Sequence, residues 1–396
     1  MSTSEFQTNA SRAFPTNTTM LPPFPMFPSL DGVPFAVSPE VYMQIAYYGN
    51  TILSPFLCLF GLCGNSLGLY IMYNDKKRKD LSIYSYMMAL MVFDNIFLVI
   101  GVVLSGTSII EFYDRYLANS IFTHFSFAGG YFDFLMFHAT SVLLIVMSVE
   151  RLQALVSPFT FKQSWLSMYP NRIIFGIAIS FGLMLLPYPF CFEVIELPDF
   201  IDPSETIYLL ATKPEFEEFY KQYGFIEGII SLIYPIVLFG LNLAIPIAFR
   251  RFKQRRKQTL KSAAKDNQQL KVTVTVVCVT VLYILLSIPK IFIQVLVFYD
   301  DRYNFTGVYG LTFFLFTALG DVFGRINAAN DFVIYVLLSE RYRRLIRIAF
   351  CRRCISEQDA SEWSEFQNVS GVRNSAASRK TQDISNVSNY IQNEDE

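Results

Sequence analysis

The chain has 396 residues and a formal net charge of −1; it is 53% hydrophobic and 16% aromatic but only 16% charged. A soluble protein of this length needs far more charge to cover its surface, so the composition excludes that class and points into a membrane. The sequence shows no nucleotide-binding loop, no metal-ligand cluster and no nucleophile–base set, which argues against an enzyme.

Residues 1–40 are rich in Ser, Thr and Pro and have no apolar core after a basic start. They are predicted to be a disordered tail without a signal peptide. Two glycosylation acceptors fall there, Asn9-Ala-Ser11 and Asn17-Thr-Thr19. Seven apolar stretches follow, at 51–73, 81–106, 116–149, 173–192, 225–249, 272–299 and 307–338. The first has no charge in 23 residues and the fourth none in 20. About 20 helical residues cross the hydrocarbon, and in lipid a helix satisfies its own backbone, so residues 41–338 read as a seven-helix, all-α membrane bundle.

Lys and Arg set the orientation. If the amino terminus is outside, the inner segments hold four basic residues in 76–79, two in 152–172, nine in 250–271 and six in 339–353, against five on all outer segments together. The positive-inside rule then predicts an extracellular amino terminus and a cytoplasmic carboxyl terminus in the plasma membrane. Asn304-Phe-Thr306 is a third acceptor, in the last outer loop. Residues 339–355 alternate basic and apolar positions and read as an amphipathic helix on the inner leaflet, with Cys351 and Cys354 as palmitoylation sites. Residues 356–396 are a polar, disordered cytoplasmic tail whose serines suit receptor kinases and arrestin.

Certain residues recur at informative places in these stretches. Gly64-Asn65 lies in the first, Leu90-x-x-x-Asp94 in the second and Glu150-Arg151-Leu152 at the foot of the third. Pro235 is in the fifth, Pro289 in the sixth, and Asp331-Phe332-x-x-Tyr335 near the end of the seventh. An ionised pair at a membrane edge is expensive and suggests a switch. This ordered set resembles the rhodopsin-like (class A) G-protein-coupled receptors over residues 41–355. Phe332, an aromatic in place of the seventh-helix proline, is similar to the invertebrate, nematode-like FMRFamide-type neuropeptide receptors.

The resemblance implies roles. Glu150 would hold Arg151 at rest, and the freed Arg151 with Tyr335 would meet a heterotrimeric G protein. Asp94, Thr140, Asn327 and Asp331 would surround a sodium pocket, or form a polar core with one acid protonated. The family's outer disulfide is missing, because Ser126 stands where its third-helix cysteine belongs. Ser287 stands where the sixth helix usually carries Trp, so another residue must report the ligand.

The outer half carries Asp133, Lys290, Asp321 and Arg325 as ligand-pocket candidates. Asp133 lies 18 residues before Arg151, about five helical turns, and so shares its inward face. The simplest expectation is an internal Asp133–Arg325 salt bridge, shared with Asp321. The second outer loop, 193–224, is acidic: Glu193, Glu196, Asp199, Asp202, Glu205, Glu215, Glu217 and Glu218 face only Lys213 and Lys221. Such a field concentrates cationic ligands. His124 and His138 read as packing or ligand contacts.

The function predicted is therefore a receptor that turns an extracellular ligand, a short amidated neuropeptide, into G-protein activation. A chemosensory receptor for a small anionic signal molecule such as a pheromone is the alternative, since Lys290 and Arg325 would welcome a carboxylate. An ion-coupled transporter is a third reading, against which no internal repeat is visible. Nucleic acid is not an expected partner.

Overall fold

A computed structural model describes residues 39–74, 81–161, 163–199, 204–257, 263–303, 309–338, 342–344 and 346. The acceptor sites Asn9, Asn17 and Asn304, the cysteines Cys351 and Cys354, and the tail 356–396 lie outside them, as does most of the amphipathic segment 339–355.

The first span is Ser54–Asn74, preceded by the helical turns Pro39–Ala46 and a wider π-type stretch, Tyr47–Leu53. The second is Ser82–Ile110, the third Arg115–Val156, the fourth Pro170–Met184 and the fifth Glu217–Lys257. The sixth is two helices, Ala263–Leu286 and Ile288–Tyr299, and the seventh is Gly310–Leu338. Five of the described helices are long and apolar enough to cross a membrane, six when the bent sixth pair counts as one. The seventh is 29 residues long, and its apolarity is diluted by Asp321, Arg325, Asn327, Asn330 and Asp331.

Local chemistry explains the boundaries. Asp114 caps the third span by accepting a hydrogen bond from the Leu117 N–H at 2.9 Å. Pro170 opens the fourth at a position where its missing N–H costs nothing. The fourth is interrupted after Met184 and resumes as a short turn, Tyr188–Cys191, the gap ending at Pro187 and the new turn carrying Pro189 in its first positions. The sixth bends by 44° at Ser287, one residue before Ile288 and two before Pro289, whose ring removes a backbone donor.

Neighbouring spans close into a ring: first on second, second on third, third on fifth, fifth on sixth, sixth on seventh and seventh back on first. The fourth packs outside the second and third. The interior is apolar, with Leu90, Met91, Leu143, Leu144, Met147 and Leu238 almost wholly buried. Two features pull the first and seventh spans together. Gly64 has no side chain where a Cβ would lie 2.7 Å from the Phe332 ring, and Asn65 Nδ2 donates to the Ala328 carbonyl at 2.9 Å.

The second outer loop is not the plain acidic loop its composition suggests. Phe192–Pro198 (β1) and Thr206–Thr212 (β2) form an antiparallel hairpin, with Phe192 opposite Thr212 and Pro198 opposite Thr206. The fifth span also starts earlier than its apolar run, at Glu217. Glu217 and Glu218 therefore sit in its first turn, and Glu215 in the 3-10 turn Pro214–Phe216 just before it, where acids favour the helix dipole.

Candidate functional site

At the end of the bundle that the charge pattern places inside, Glu150 and Arg151 pair with each other. Arg151 Nε lies 2.5 Å from Glu150 Oε2, and Arg151 Nη2 donates to Glu150 Oε1 at 2.7 Å, a bidentate pair. Ser82 Oγ of the second span donates to the same Glu150 Oε1 at 2.6 Å. Glu150 is fully buried and Arg151 nearly so. Nothing in the sequence signalled Ser82. Tyr335 is buried on the seventh span, with its ring 6.3 Å from that of Tyr342 and its hydroxyl without a hydrogen-bond partner. Arg343 Nη1 donates to the Val336 carbonyl at 2.9 Å and to the Leu337 carbonyl, closing the last turn of the seventh span.

Above the Glu150–Arg151 pair lies a central cavity with about 670 Å3 of space between atoms, its open mouth included. Asp133 and Phe137 of the third span, Tyr283 and Lys290 of the sixth, and Asp321 of the seventh face it, with Asp94, Thr140 and Asn327 toward its floor. Asp331 does not line the cavity but is in side-chain contact with Asp94; its Oδ2 is buried and has no hydrogen-bond partner. Of the four polar-core residues named from the sequence, three share the cavity and the fourth touches one of them, and all carry side-chain oxygens. Such donors fit a hard cation of the sodium kind. Among the described residues no group of three or more His, Cys, Asp or Glu could hold a metal.

The expected Asp133–Arg325 bridge does not form. Arg325 Nη1 instead donates to Ser54 Oγ at 2.5 Å and to Asn50 Oδ1 at 3.4 Å, both of the amino-terminal helix. The reason is Gly101 on the second span. A Cβ there would lie 3.1 Å from Arg325 Nε, so its absence opens the path that carries the guanidinium toward the first span. Among the described residues neither Asp133 nor Asp321 has a Lys or Arg nitrogen within 4.0 Å. Lys290 leans on aromatics, its Nζ 3.5 Å from the Phe137 ring centre and 5.6 Å from that of Phe134.

Two further features escaped the sequence. Glu227 on the fifth span accepts from Ser231 Oγ at 2.8 Å and lies 3.4 Å from His138 Nε2, while His138 Nδ1 pairs with the Tyr234 hydroxyl at 2.9 Å. A lone acid inside an apolar run was the available signal. His138 is fully buried, is stacked on Phe181, and ties the third span to the fifth through Tyr234 and Glu227. Tyr283 lines the cavity one turn below Ser287 and shares a 2.6 Å hydrogen bond with Ser141 of the third span.

No disulfide forms among the described cysteines, Cys58, Cys63, Cys191 and Cys278. The hairpin is fastened by polar contacts instead. Asn119 bonds Tyr208 both ways, donating to its carbonyl at 3.1 Å and accepting its N–H at 2.7 Å, and Thr123 Oγ1 adds a donation at 3.1 Å. The His124 ring meets Tyr208 edge-on at 4.9 Å. Asp199, placed among the mouth's acids by the sequence, is buried. It accepts from the Tyr116 hydroxyl at 2.9 Å and lies 3.7 Å from Arg115. Glu193, Glu196, Glu205, Glu215, Glu217 and Glu218 do remain exposed. In the last outer loop the Arg302 guanidinium holds the Asp300 carboxyl below its usual range.

A polar-lined cavity thus lies at the centre of a seven-helix bundle, over the buried Glu150–Arg151 pair. The chain belongs to the serpentine type 7TM GPCR chemoreceptor Srw family, whose model matches residues 52–353, well over half its length. No curated protein matches it. It is a multi-pass G-protein-coupled receptor, which takes an extracellular ligand and acts on a G protein.

Proposed function

We propose that the ligand carries a cationic group, held in the central cavity by Asp133 and Asp321, and that a short amidated neuropeptide is its class. One observation carries this reading: Asp133 and Asp321 both face the cavity, neither with a Lys or Arg nitrogen of the described residues within 4.0 Å, so two acids stand there against the ammonium of Lys290 while Arg325 bonds to Ser54 and Asn50. Buried charges of one sign attract the opposite sign in a ligand. The exposed acids of the outer loop support it by steering cations to the mouth.

Signal transfer runs through the sixth span. A ligand filling the cavity presses on Tyr283 and on the bend at Ser287. Loss of the Tyr283–Ser141 bond, and of the 2.8 Å Thr280–Asn242 bond below it, frees the inner half of the sixth span. The Glu150–Arg151 lock then opens toward the G protein. Asp94, Thr140, Asn327 and Asp331 would hold a sodium ion that stiffens the same core. The amino terminus lies outside the plasma membrane, glycosylated at Asn9, Asn17 and Asn304. Cys351 and Cys354 carry palmitoyl chains, and the tail serves receptor kinases and arrestin.

The family's description as chemoreceptors favours a second reading, a small anionic signal molecule bound through Lys290. Calcium or cAMP responses of expressing cells to amidated peptides and to small acidic metabolites separate the two. Responses confined to cationic ligands, and lost in Asp133→Asn, support the first.

A further inference from the structure

A second cleft lies apart from the central cavity, between the widened turns Tyr47–Leu53 and the seventh span. It holds about 1040 Å3 of space, open side included. Ile45, Ile52, Leu53 and Leu319 make its walls apolar, and Gln44 and Asn50 are its polar members. Tyr48, Ile52 and Leu53 are exposed on the outside of the bundle, which in a membrane is the lipid side. From residue 44 to residue 53 the helical path is roughly 15 Å, half of a hydrocarbon core about 30 Å thick. The cleft therefore matches one leaflet in length.

A charge lies directly behind its wall, at Asn50. Asn50 accepts from Arg325, which is 7% exposed. Arg325's hydrogen-bond partners, Ser54 and Asn50, are both neutral, and among the described residues no carboxylate oxygen comes within 4.0 Å of it. Asp321 and Asp133 attract it only from a longer distance, and a carboxylate in direct contact is the best geometric partner of a guanidinium held in a membrane. Phe323 lines both this cleft and the central cavity, so it is the wall between them.

We propose that the cleft binds a single-chain lipid anion, a long-chain fatty acid, entering sideways from the membrane. Its carboxylate goes to Asn50 and Arg325, and its chain stays in the hydrocarbon beside Ile52 and Leu319. Through Phe323 an occupied cleft changes the shape of the central cavity. The site is independent of which ligand the central cavity takes.

The test is photolabelling of the full-length receptor in lipid nanodiscs by a diazirine-bearing fatty acid, with labelled peptides mapped by mass spectrometry. Saturable labelling is expected at residues 44–53 and 318–323. Oleate should compete for it, and methyl oleate about tenfold to hundredfold less well, as the loss of one charge-assisted contact implies. Ala318→Trp fills the cleft without touching Arg325 and should abolish labelling, with folding checked by the thermal unfolding midpoint. The ester comparison uses the unaltered receptor and stands even if that variant fails to fold. Equal competition by acid and ester overturns the proposal, as does labelling spread evenly over the other spans. Stronger saturable labelling by a phospholipid probe of the same chain length also overturns it.

Discussion

The inner and outer halves of the bundle handle buried charge in opposite ways. At the inner end Glu150 and Arg151 meet in a two-point pair at 2.5 and 2.7 Å, and Ser82 occupies one of the carboxylate oxygens as well. In the outer half Asp133, Asp321, Lys290 and Arg325 lie on facing helices, yet none pairs with another. A self-satisfied pair can store a resting state, while acids without a direct ion pair can take a partner from outside. The proposal therefore gives the Glu150–Arg151 pair to the switch and Asp133 and Asp321 to recognition.

Breaking the lock should give the largest effects. Arg151→Ala should abolish G-protein activation with surface expression largely kept, read by nucleotide exchange against surface immunolabelling. Glu150→Gln should raise ligand-independent activity, because freeing one partner of a buried pair costs about 3–5 kcal/mol of resting-state stability. Ser82→Ala should do the same more weakly, since a hydrogen bond to a charged group is worth about 1.5–3 kcal/mol. Normal basal activity in both would mean that the pair does not hold the resting state.

The outer half sharpens the contrast. If Asp133 and Arg325 were paired, Asp133→Asn would damage folding and the exchange Asp133→Arg with Arg325→Asp would repair it. With the two apart, Asp133→Asn should reach the surface normally, and the exchanged pair should be no better than either single change. Surface counts by flow cytometry decide this.

Smaller effects are expected at the rim. Asn119→Ala removes both bonds to Tyr208, and hydrogen exchange in residues 192–212 should quicken locally while the spans stay protected. Converting Glu215, Glu217 and Glu218 to Gln should lower the potency of a cationic agonist mainly through slower association. That loss should shrink as salt rises, because exposed charges are screened within about 8–10 Å at physiological ionic strength. An acidic agonist should instead gain slightly.

The seven-helix bundle was legible in the sequence because lipid demands long apolar runs, and the Glu150–Arg151 pair because those two residues end one. What escaped depended on reach across space. Arg325 shares a face with Asp321, and the family resemblance aims it at Asp133, but the gap left by Gly101 lets it reach Ser54 instead. The hairpin's alternation at 192–198 and 206–212 was hidden by the acids around it. Its fastening by Asn119 and Thr123 involves residues that carry no motif. Asp199 shows the same limit: composition counts it with the exposed acids, while Tyr116 and Arg115 bury it.

The most direct test of the outer half as a recognition site is nucleotide exchange on a G protein, in membranes bearing the receptor or its Asp133→Asn variant. Amidated cationic peptides and small acids are applied to each. The account predicts exchange driven by a cationic ligand in the unaltered receptor and lost in Asp133→Asn at equal surface level. Exchange driven only by acids, with potency unchanged or improved in Asp133→Asn, would contradict it.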